Sequence, residues 1–438
     1  MALKDILRDA GIIGAGGAGF PAYMKLSPTA DILLIDGAEC EPLLYTDFIL
    51  MRDRIDTVVR GARAIMEEYG LKKTLLCMKQ HTAFALSLTD GQEIGPGIFI
   101  KQMPDVYPMG DEIIMIYEAT GRVVRPGALP SSVGVMSFNV ETVYNIALAV
   151  KDGTPLTEKW LTIGGATEAA VVVRCPIGTP VRDLFAFYGV DVPEDHVVID
   201  GGPSMGRIIR WQTEVVRKNT KALLILPRDI PAVASKLTDT KVAVSRCASN
   251  CCQCTRCTDM CPRGLLGYPL EPHRMVRMTM GVAEISPDMV RAATLCCGCG
   301  ICETLACCQG ISPKIIIDEF KKLLAKNKLR YTAEEDVTPS PERPYRMVPA
   351  VHWANALGVT SYDKVATRAS RLLTPGEVTL PLGQHIGAPS VPVVHEGDKV
   401  QKGQMIAAAA DGLSVPQHAT IDGVVTFVSN EKITIERE

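Results

Sequence analysis

The sequence has almost no net charge, few aromatic side chains and no long apolar run. Lysine and arginine total 46 against 49 aspartates and glutamates, which gives a formal net charge of −3. Nucleic-acid-binding domains usually carry a basic excess and aromatic side chains for base stacking, whereas aromatic residues here make up only 5%. No apolar stretch reaches the roughly 20 residues that a membrane-spanning helix needs. We therefore expect neither a nucleic-acid partner nor a transmembrane segment.

The first residues also lack the pattern of a secretory signal. Residues 1–9 carry charges of both signs and are predicted to form a short amphipathic helix. Fifteen cysteines without such a signal indicate a reducing, cytoplasmic location, where structural disulfides are rare. At 438 residues the chain is too long for one hydrophobic core, so several domains are expected.

Twelve of the fifteen cysteines lie between Cys247 and Cys308. The first run has the spacing C-x2-C-x2-C-x3-C-P, which is typical of bacterial ferredoxins whose fourth cysteine ligates a second [4Fe–4S] cluster. The second run, C-x2-C-x2-C-x4-C, supplies that second cluster. A zinc ribbon needs only four ligands and does not account for the triple spacing. The predicted ligand sets are therefore crossed: Cys251, Cys254, Cys257 and Cys307 hold one cluster, and Cys261, Cys296, Cys299 and Cys302 hold the other.

Four further cysteines in this region are left over: Cys247, Cys252, Cys297 and Cys308. Each is a candidate either for a buried thiol or for an alternative ligand that replaces a neighbour. Two clusters held close together by crossed ligands form an electron relay, so an electron donor and an acceptor are expected elsewhere.

The first 155 residues predict a layered α/β domain. Residues 14–21 contain four glycines in six positions, which let the backbone approach a phosphate closely, although a plain tight turn is the alternative. A predicted strand at 31–36 leads into Gly-Ala-Glu-Cys-Glu-Pro at 37–42, and ligands bind at strand ends in α/β sheets. Segment 57–69 has helical periodicity and 74–78 is a second apolar strand, so strands and helices alternate.

Four motifs in this domain follow one another in a recognisable order: the glycine loop, Gly-Ala-Glu-Cys-Glu-Pro, Tyr-Pro-x-Gly-Asp-Glu at 107–112 and Asn-Val-Glu-Thr at 139–142. This order resembles the RnfC subunits of Rnf electron-transport complexes and the NADH-oxidising flavoprotein of respiratory complex I. The resemblance implies an FMN site that accepts hydride from NADH. The residues implied for FMN are Gly14, Gly16, Gly17, Gly19, Lys25, Asp36, Glu39, Gly110, Asp111, Asn139 and Thr142.

The same resemblance implies that Phe20, Glu41 and Glu112 face the nicotinamide nucleotide, with the two glutamates as the catalytic candidates. For Glu39, Glu41, Asp111 and Glu112 the alternative is a set of solvated loop carboxylates.

The rest of the chain divides into four predicted parts, which makes the fold a multidomain combination of α/β and α+β. Residues 156–228 are β-rich and resemble the β-grasp (SLBB) module that follows the flavin domain in these families. Residues 240–330 should form a mostly helical, ferredoxin-like domain with two [4Fe–4S] clusters. Residues 332–346 are acidic and proline-rich, and residues 331–372 are predicted to be a linker. Residues 373–438 resemble the barrel-sandwich hybrid domain of RnfC, without an evident lipoyl lysine.

In RnfC the sandwich domain lies at the N-terminus, whereas here it comes last. This domain order resembles the PduS-type cobalamin reductases of propanediol-utilising bacterial microcompartments. The resemblance implies that electrons pass from NADH through FMN and two clusters to cobalamin, or to a cobalamin-handling protein such as an adenosyltransferase, in a cytoplasmic compartment enclosed by shell proteins. The alternative is an RnfC-like relay subunit that docks to a partner protein and has no soluble substrate.

Overall fold

The computed structural model describes residues 1–281, 286–333 and 335–438 of the chain. Within these residues no helix is both long enough and apolar enough to cross a membrane. The strands of the N-terminal domain are β1 (Ile32–Asp36), β2 (Lys73–Lys79), β3 (Glu93–Gly95), β4 (Ile98–Met103), β5 (Val106–Tyr107) and β6 (Val135–Asn139). Its helices are α1 (Leu3–Asp9), α2 (Thr46–Tyr69), α3 (Gln80–Ala85), α4 (Glu112–Thr120) and α5 (Val140–Asp152).

Five of these strands form one sheet in the order β3-β4-β2-β1-β6. β4, β2, β1 and β6 are parallel, and only β3 runs antiparallel to its neighbour. Side chains alternate between two cores because successive residues of a strand face opposite sides. Leu33 and Ile35 belong to the core shared with α2 and α5, whereas Leu34 and Leu75 belong to the core on the other face. Both faces of this sheet are therefore covered, as is usual for parallel strands.

The second domain is a β-sheet with one helix. It contains β7 (Glu158–Gly165), β8 (Ala170–Pro176), β9 (His196–Asp200), β10 (Arg207–Ile209), β11 (Ala222–Pro227) and α6 (Val181–Tyr188). The strand order is β10-β9-β11-β7-β8. The domain has its own buried cluster, in which Phe185 of α6 packs against the strands.

The cysteine-rich segment is helical. Its helices are α7 (Pro231–Leu237), α8 (Thr240–Asn250), α9 (Arg256–Asp259), α10 (Pro272–Thr279), α11 (Pro287–Ala292), α12 (Ile301–Thr304) and α13 (Pro313–Lys326). α10, α8 and α13 pack against one another. Their apolar side chains join the core on the face of the N-terminal sheet that carries Leu34.

The segment 331–372, predicted as a linker, carries secondary structure of its own. It contains α14 (Arg343–Arg346), β12 (Val348–Pro349), α15 (Ala350–Leu357) and β13 (Ala366–Arg368). β12 pairs with β5 of the first domain, and β13 adds a parallel edge strand to β8 of the second. Trp353 of α15 is completely buried. This segment therefore ties the first two domains together.

The last domain consists of two small antiparallel sheets. Its strands are β14 (Glu377–Pro381), β15 (Val391–Pro392), β16 (Lys399–Val400), β17 (Met405–Ala408), β18 (Gln417–His418), β19 (Gly423–Val428) and β20 (Lys432–Glu436). The sheet orders are β14-β20-β19-β16 and β15-β17-β18. Its interior is continuous with that of the first domain, because Val378 and Ile433 share one buried cluster with Leu3 and Ile13. The N–H of Ile386 also donates to the carbonyl of Gly19, at 3.0 Å.

Candidate functional site

The glycine loop, residues 14–20, is closed at its base and open at its tip. The N–H of Gly14 donates to the carbonyl of Phe20 at 2.8 Å, and the N–H of Ala15 donates to Oγ1 of Thr142 at 2.9 Å. Residues 16–18 are exposed. Gly17 has φ +108°, and a Cβ built on it would meet no atom within 4 Å. The tip thus needs glycine for its backbone conformation and faces free space that a ligand can fill.

The loop lies beside the carboxyl ends of two neighbouring parallel strands. Asp36 ends β1 and is in register with Asn139, which ends β6. Asn139 caps α5, because its Oδ1 accepts the N–H of Glu141 at 3.0 Å. Its Nδ2 donates to the carbonyl of Asp36 at 3.2 Å and to the carboxylate of Asp47 at 2.8 Å. The N-terminus of α5 is thereby fixed against the loop, in the position where helices bind anions.

A second helix, α4, contributes an ion pair to the same region. Lys25 donates to Oε1 of Glu112 at 2.6 Å and to the carbonyl of Ser137 at 3.2 Å. About a third of each charged side chain remains exposed, at 28% for Lys25 and 34% for Glu112. The structure therefore brings together two of the predicted site residues, which stay accessible to a ligand.

Two carboxyl groups, one at the end of β1 and one in the loop that follows, have raised pKa values. Burial raises the pKa of Asp36 to about 7, with a contribution from Asp47, while Oδ1 of Asp36 accepts the N–H of Ala38 at 3.0 Å. Burial also raises the pKa of Glu39 to about 8, and its Oε1 accepts the N–H of Glu41 at 2.9 Å. The alternative of a freely solvated loop carboxylate therefore does not describe Glu39.

Glu41 lies at the junction with the second domain. Its carboxylate accepts the N–H groups of Ser204 at 2.9 Å and Met205 at 2.8 Å. Burial raises the pKa of this carboxyl group, which is 8% exposed, although these hydrogen bonds and Lys236 oppose the shift. A Cβ at Gly202 would overlap the carboxylate. The geometry makes Glu41 a contact between domains, and its role toward a nicotinamide stays a prediction.

Two buried lysines and two buried acids form a network of ion pairs next to the site, in contact with Asn139 through Asp47. Lys221 pairs with Asp47 and, at 3.5 Å, with Glu141, which also pairs with Lys159. All four side chains are at most 6% exposed. Burial alone would lower the pKa of Lys221, but the two carboxylates raise it above its ordinary value. The sequence contains one signal for this network, namely charged residues in or beside otherwise apolar strands and helices. The motifs and spacings used for prediction did not include that signal.

The cysteines lie around two separate small cavities. Cys251, Cys254, Cys257 and Cys307 line the first, together with other residues of the same segment such as His273. The second cavity is lined by Cys261, Cys296, Cys299 and Cys302, together with Arg263 and Lys314. Each cavity is thus lined by the four thiols of one crossed set, three from one run and one from the other, and by one further cysteine, Cys252 in the first and Cys297 in the second. Four thiols are the donor set that a [4Fe–4S] cluster requires.

The four remaining cysteines differ in their surroundings. Cys247 is buried and Cys297 is half-buried beside the second cavity, whereas Cys252 and Cys308 are exposed. The sulfur of Cys308 lies 3.7 Å from that of Cys252 and 3.8 Å from that of Cys254. Cys308 is therefore near enough to replace a ligand of the first cavity, which keeps the alternative-ligand interpretation open.

Direct contacts join the motif at 107–112 to the second cavity. The hydroxyl of Tyr107 donates to the carbonyl of Cys299 at 2.7 Å, and its ring stacks on Trp353 with centroids 4.5 Å apart. Asp111 accepts two hydrogen bonds from Arg263, at 2.8 and 3.2 Å, and also caps α4. Sequence reasoning identified neither Arg263 nor Trp353, because both act through partners distant in the chain.

The residues present fit both kinds of cofactor. In the part of the chain that the structure describes, the N–H groups of Gly16 and Gly17 donate no hydrogen bond, and the helix N-terminus at Asn139 lies beside them. Such a cradle suits the phosphate of a flavin nucleotide. The two thiol sets suit iron–sulfur clusters. Comparison with known families agrees: residues 7–148 match the Nuo51 FMN-binding domain, 250–312 match a 4Fe-4S dicluster domain, and 360–438 match the RnfC barrel sandwich hybrid domain.

The curated relatives extend the agreement to the whole chain. It is 39% identical over 437 residues to "Cobalamin reductase PduS" of Salmonella typhimurium, which covers 99% of this chain and 96% of the relative. The chain belongs to the PduS cobalamin reductase family. The PduS of Citrobacter freundii is 37% identical with the same coverage. A component of the proton-translocating ferredoxin:NAD(+) oxidoreductase complex of Clostridium ljungdahlii is 33% identical over 60% of this chain and 56% of its own length. The three matched domains follow one another along the chain in the order FMN-binding, dicluster and barrel sandwich hybrid.

Proposed function

We propose that this chain is an NADH-dependent oxidoreductase that passes electrons through FMN and two [4Fe–4S] clusters to cobalamin. One observation carries the proposal: the flavin-domain motif at 107–112 contacts the second cysteine cavity directly, through Tyr107 and Cys299 and through Asp111 and Arg263. These buried contacts hold the proposed hydride-accepting domain against the second cavity, which suits the passage of electrons from one to the other.

When bound, FMN accepts a hydride from NADH and gives up its electrons singly, and each [4Fe–4S] cluster carries one electron at a time. The residues proposed to hold FMN are Gly14, Gly16, Gly17, Gly19, Lys25, Asp36, Glu39, Gly110, Asp111, Asn139 and Thr142. Those proposed to face the nicotinamide are Phe20, Glu41 and Glu112.

The chain's own residues have distinct parts in this proposal. The tip of the glycine loop offers free N–H groups to phosphate oxygens. Lys25 keeps a positive charge beside the strand ends, and Glu112 orients it. Because Asp36 retains its proton up to about pH 7, it adds no negative charge beside the anionic nucleotides at lower pH. Glu41, held by the turn at Ser204 and Met205, fixes the second domain against the loop that follows β1.

The two thiol sets are proposed as the cluster ligands, in the crossed arrangement. Helices surround both cavities, which supports a mostly helical, ferredoxin-like segment at 240–330. The sheet and helix at 156–228 suit a β-grasp module of the SLBB type. Cobalamin is proposed as the acceptor because the full-length relatives are named as cobalamin reductases. An adenosyltransferase or shell proteins as partners, and a location inside a microcompartment, are proposed on that family membership alone.

The decisive experiment uses anaerobically reconstituted, full-length protein with measured FMN and iron contents. NADH and aquacobalamin are added without any other protein, and both absorbances are followed. Because NADH supplies two electrons and each Co(III) takes one on becoming Co(II), two cobalamins should be reduced per NADH oxidised. Protein with stoichiometric FMN and both clusters that reduces artificial dyes but not aquacobalamin would refute the proposal and support an RnfC-like relay subunit that needs a partner.

A further inference from the structure

The two cysteine cavities differ in charge. The first is lined by Cys251, Cys254, Cys257, Cys307 and uncharged or weakly basic neighbours, and its lining in the described part of the chain contains no lysine, arginine, aspartate or glutamate. The second is lined by two cations, Arg263 and Lys314. Arg263 and Lys314 each have a carboxylate partner, and Glu303 adjoins Cys302, so the two cavities differ in having or lacking charged side chains at the thiols.

Arg263 is fixed by the flavin domain. Its guanidinium donates twice to Oδ2 of Asp111 and lies over the ring of Tyr268, 5.5 Å from the centroid. The Arg263 and Asp111 side chains are only 15% and 7% exposed. Oδ1 of Asp111 accepts the N–H groups of Ile113 and Ile114 at 3.1 Å, so the carboxylate cannot turn away. The hydroxyl of Tyr268 donates to the carbonyl of Val124 at 2.7 Å, which holds the ring.

Lys314 is a weaker influence on the same cavity. Its Nζ pairs with Asp318 at 3.1 Å one helical turn away, and its side chain is 23% exposed. Solvent and the carboxylate of the same helix therefore screen it. Arg263 is the more buried cation, and its counter-charge comes from a different domain.

The effect of such a cation on a cluster follows from charge alone. Reduction of a [4Fe–4S] cluster adds one negative charge, and a buried positive charge stabilises that charge more than a solvated one does. Local charge is one of the factors that set the potential of a cluster. A nearby carboxylate destabilises the added negative charge instead. Arg263 should therefore raise the reduction potential of the cluster, and Asp111 should lower it.

We infer that Arg263, positioned by Asp111, raises the reduction potential of the cluster held by Cys261, Cys296, Cys299 and Cys302 relative to the other cluster. The flavin domain thus contributes a residue that tunes the cluster with which it makes contact. This inference rests on the proposed function only in requiring that both clusters assemble.

The test is a mediated redox titration of the holoprotein followed by electron paramagnetic resonance, without NADH or cobalamin. Arg263→Gln should lower one of the two midpoint potentials, and Arg263→Lys should restore most of the loss. Asp111→Asn, which keeps the helix cap, should raise the same potential. Arg256→Gln removes an exposed arginine next to Cys257 and is the matched control, expected to shift either potential less because water screens its charge.

Opposite shifts of one potential are the result that a purely structural role for the pair would not produce. Iron and flavin contents are measured first for every variant. If Arg263→Gln fails to assemble its clusters, the midpoint potential of Asp111→Asn still tests the inference, because that variant should shift the potential upward. The inference is overturned if both variants move the potential in the same direction, if neither moves it, or if both clusters shift equally. Since no substrate is present, these outcomes are independent of whether cobalamin is the acceptor.

Discussion

Replacement of Lys221 by methionine should strongly destabilise the packing of the second domain against the flavin domain. Of the two buried lysines, Lys221 is the one that contacts both acids, Asp47 and Glu141. Its removal leaves Lys159 as the single buried cation opposite two carboxylates. Breaking a buried ion pair by removing one partner costs about 3–5 kcal/mol, which is roughly two to four orders of magnitude in the folded-to-unfolded ratio.

The same change should also loosen the cofactor site. Asp47 accepts a hydrogen bond from Asn139, whose side chain caps α5 beside the glycine loop. Without Lys221, Asp47 has lost its cation, and the cap loses a fixed partner. We therefore expect weaker flavin retention at urea concentrations below the main unfolding transition.

Equilibrium unfolding in urea, followed by circular dichroism and by flavin release, measures both effects. Lys402→Met is the control, because Lys402 pairs with Glu158 at 2.7 Å but is 42% exposed, and such surface pairs contribute about 0–1 kcal/mol. The double variant Lys221→Met with Asp47→Asn should recover part of the loss, since Glu141 and Lys159 then remain as a neutral pair. If Lys221→Met costs no more than Lys402→Met, the network does not support the site as described.

Three further outcomes are expected. Gly17→Val should abolish FMN binding and leave the iron content unchanged. Gly91→Val is the control, because Gly91 also has a positive φ and free space around it, and this variant should keep its FMN. Loss of FMN in both variants would show that backbone strain alone, and not contact with the flavin, explains the result. In the parent protein the carboxyl of Asp36 keeps its proton up to about pH 7 when folded but loses it near pH 4 when unfolded. The free energy of unfolding of the parent therefore falls as the pH rises from about 4 to about 7 and is constant above that. Asp36→Asn should flatten this dependence. Urea midpoints at the two ends of this pH range measure this, and an unchanged slope would contradict it. Cys307→Ser should reduce the iron content from about eight to about four per chain, whereas Cys308→Ser should leave it unchanged; the reverse result would make Cys308 the ligand.

Apolar periodicity predicted two strands of the first domain well. The strand expected at 31–36 is Ile32–Asp36, and the one expected at 74–78 is Lys73–Lys79. Helix α2 was only half predicted: the expectation covered 57–69, but the helix begins at Thr46. Its first half is interrupted at Arg54, which has φ −138°, so a single helical period does not run through it.

The segment 331–372 shows where composition was insufficient. Prolines and acidic residues indicated a linker, yet Val348, Trp353, Leu357 and Val359 are buried against other domains. Each of these contacts joins residues that are far apart in the chain, so the local pattern of apolar and polar residues does not predict them. The contact of Glu41 with the turn at Ser204 is also long-range. The motif around Glu41 predicted a ligand-binding loop but not this contact.

The interior shared by the first and last domains has a consequence for biosynthesis. Val378 and Ile433 complete a core that begins at Leu3 and Ile13, and Lys218 bridges the carbonyls of Gly11 and Pro416. A ribosome makes the flavin-binding domain, residues 1–155, hundreds of residues before the strands that cover it. That domain therefore waits with apolar surface exposed until the last strands are made. A circularly permuted gene that encodes the sandwich first would remove the delay without altering a single contact.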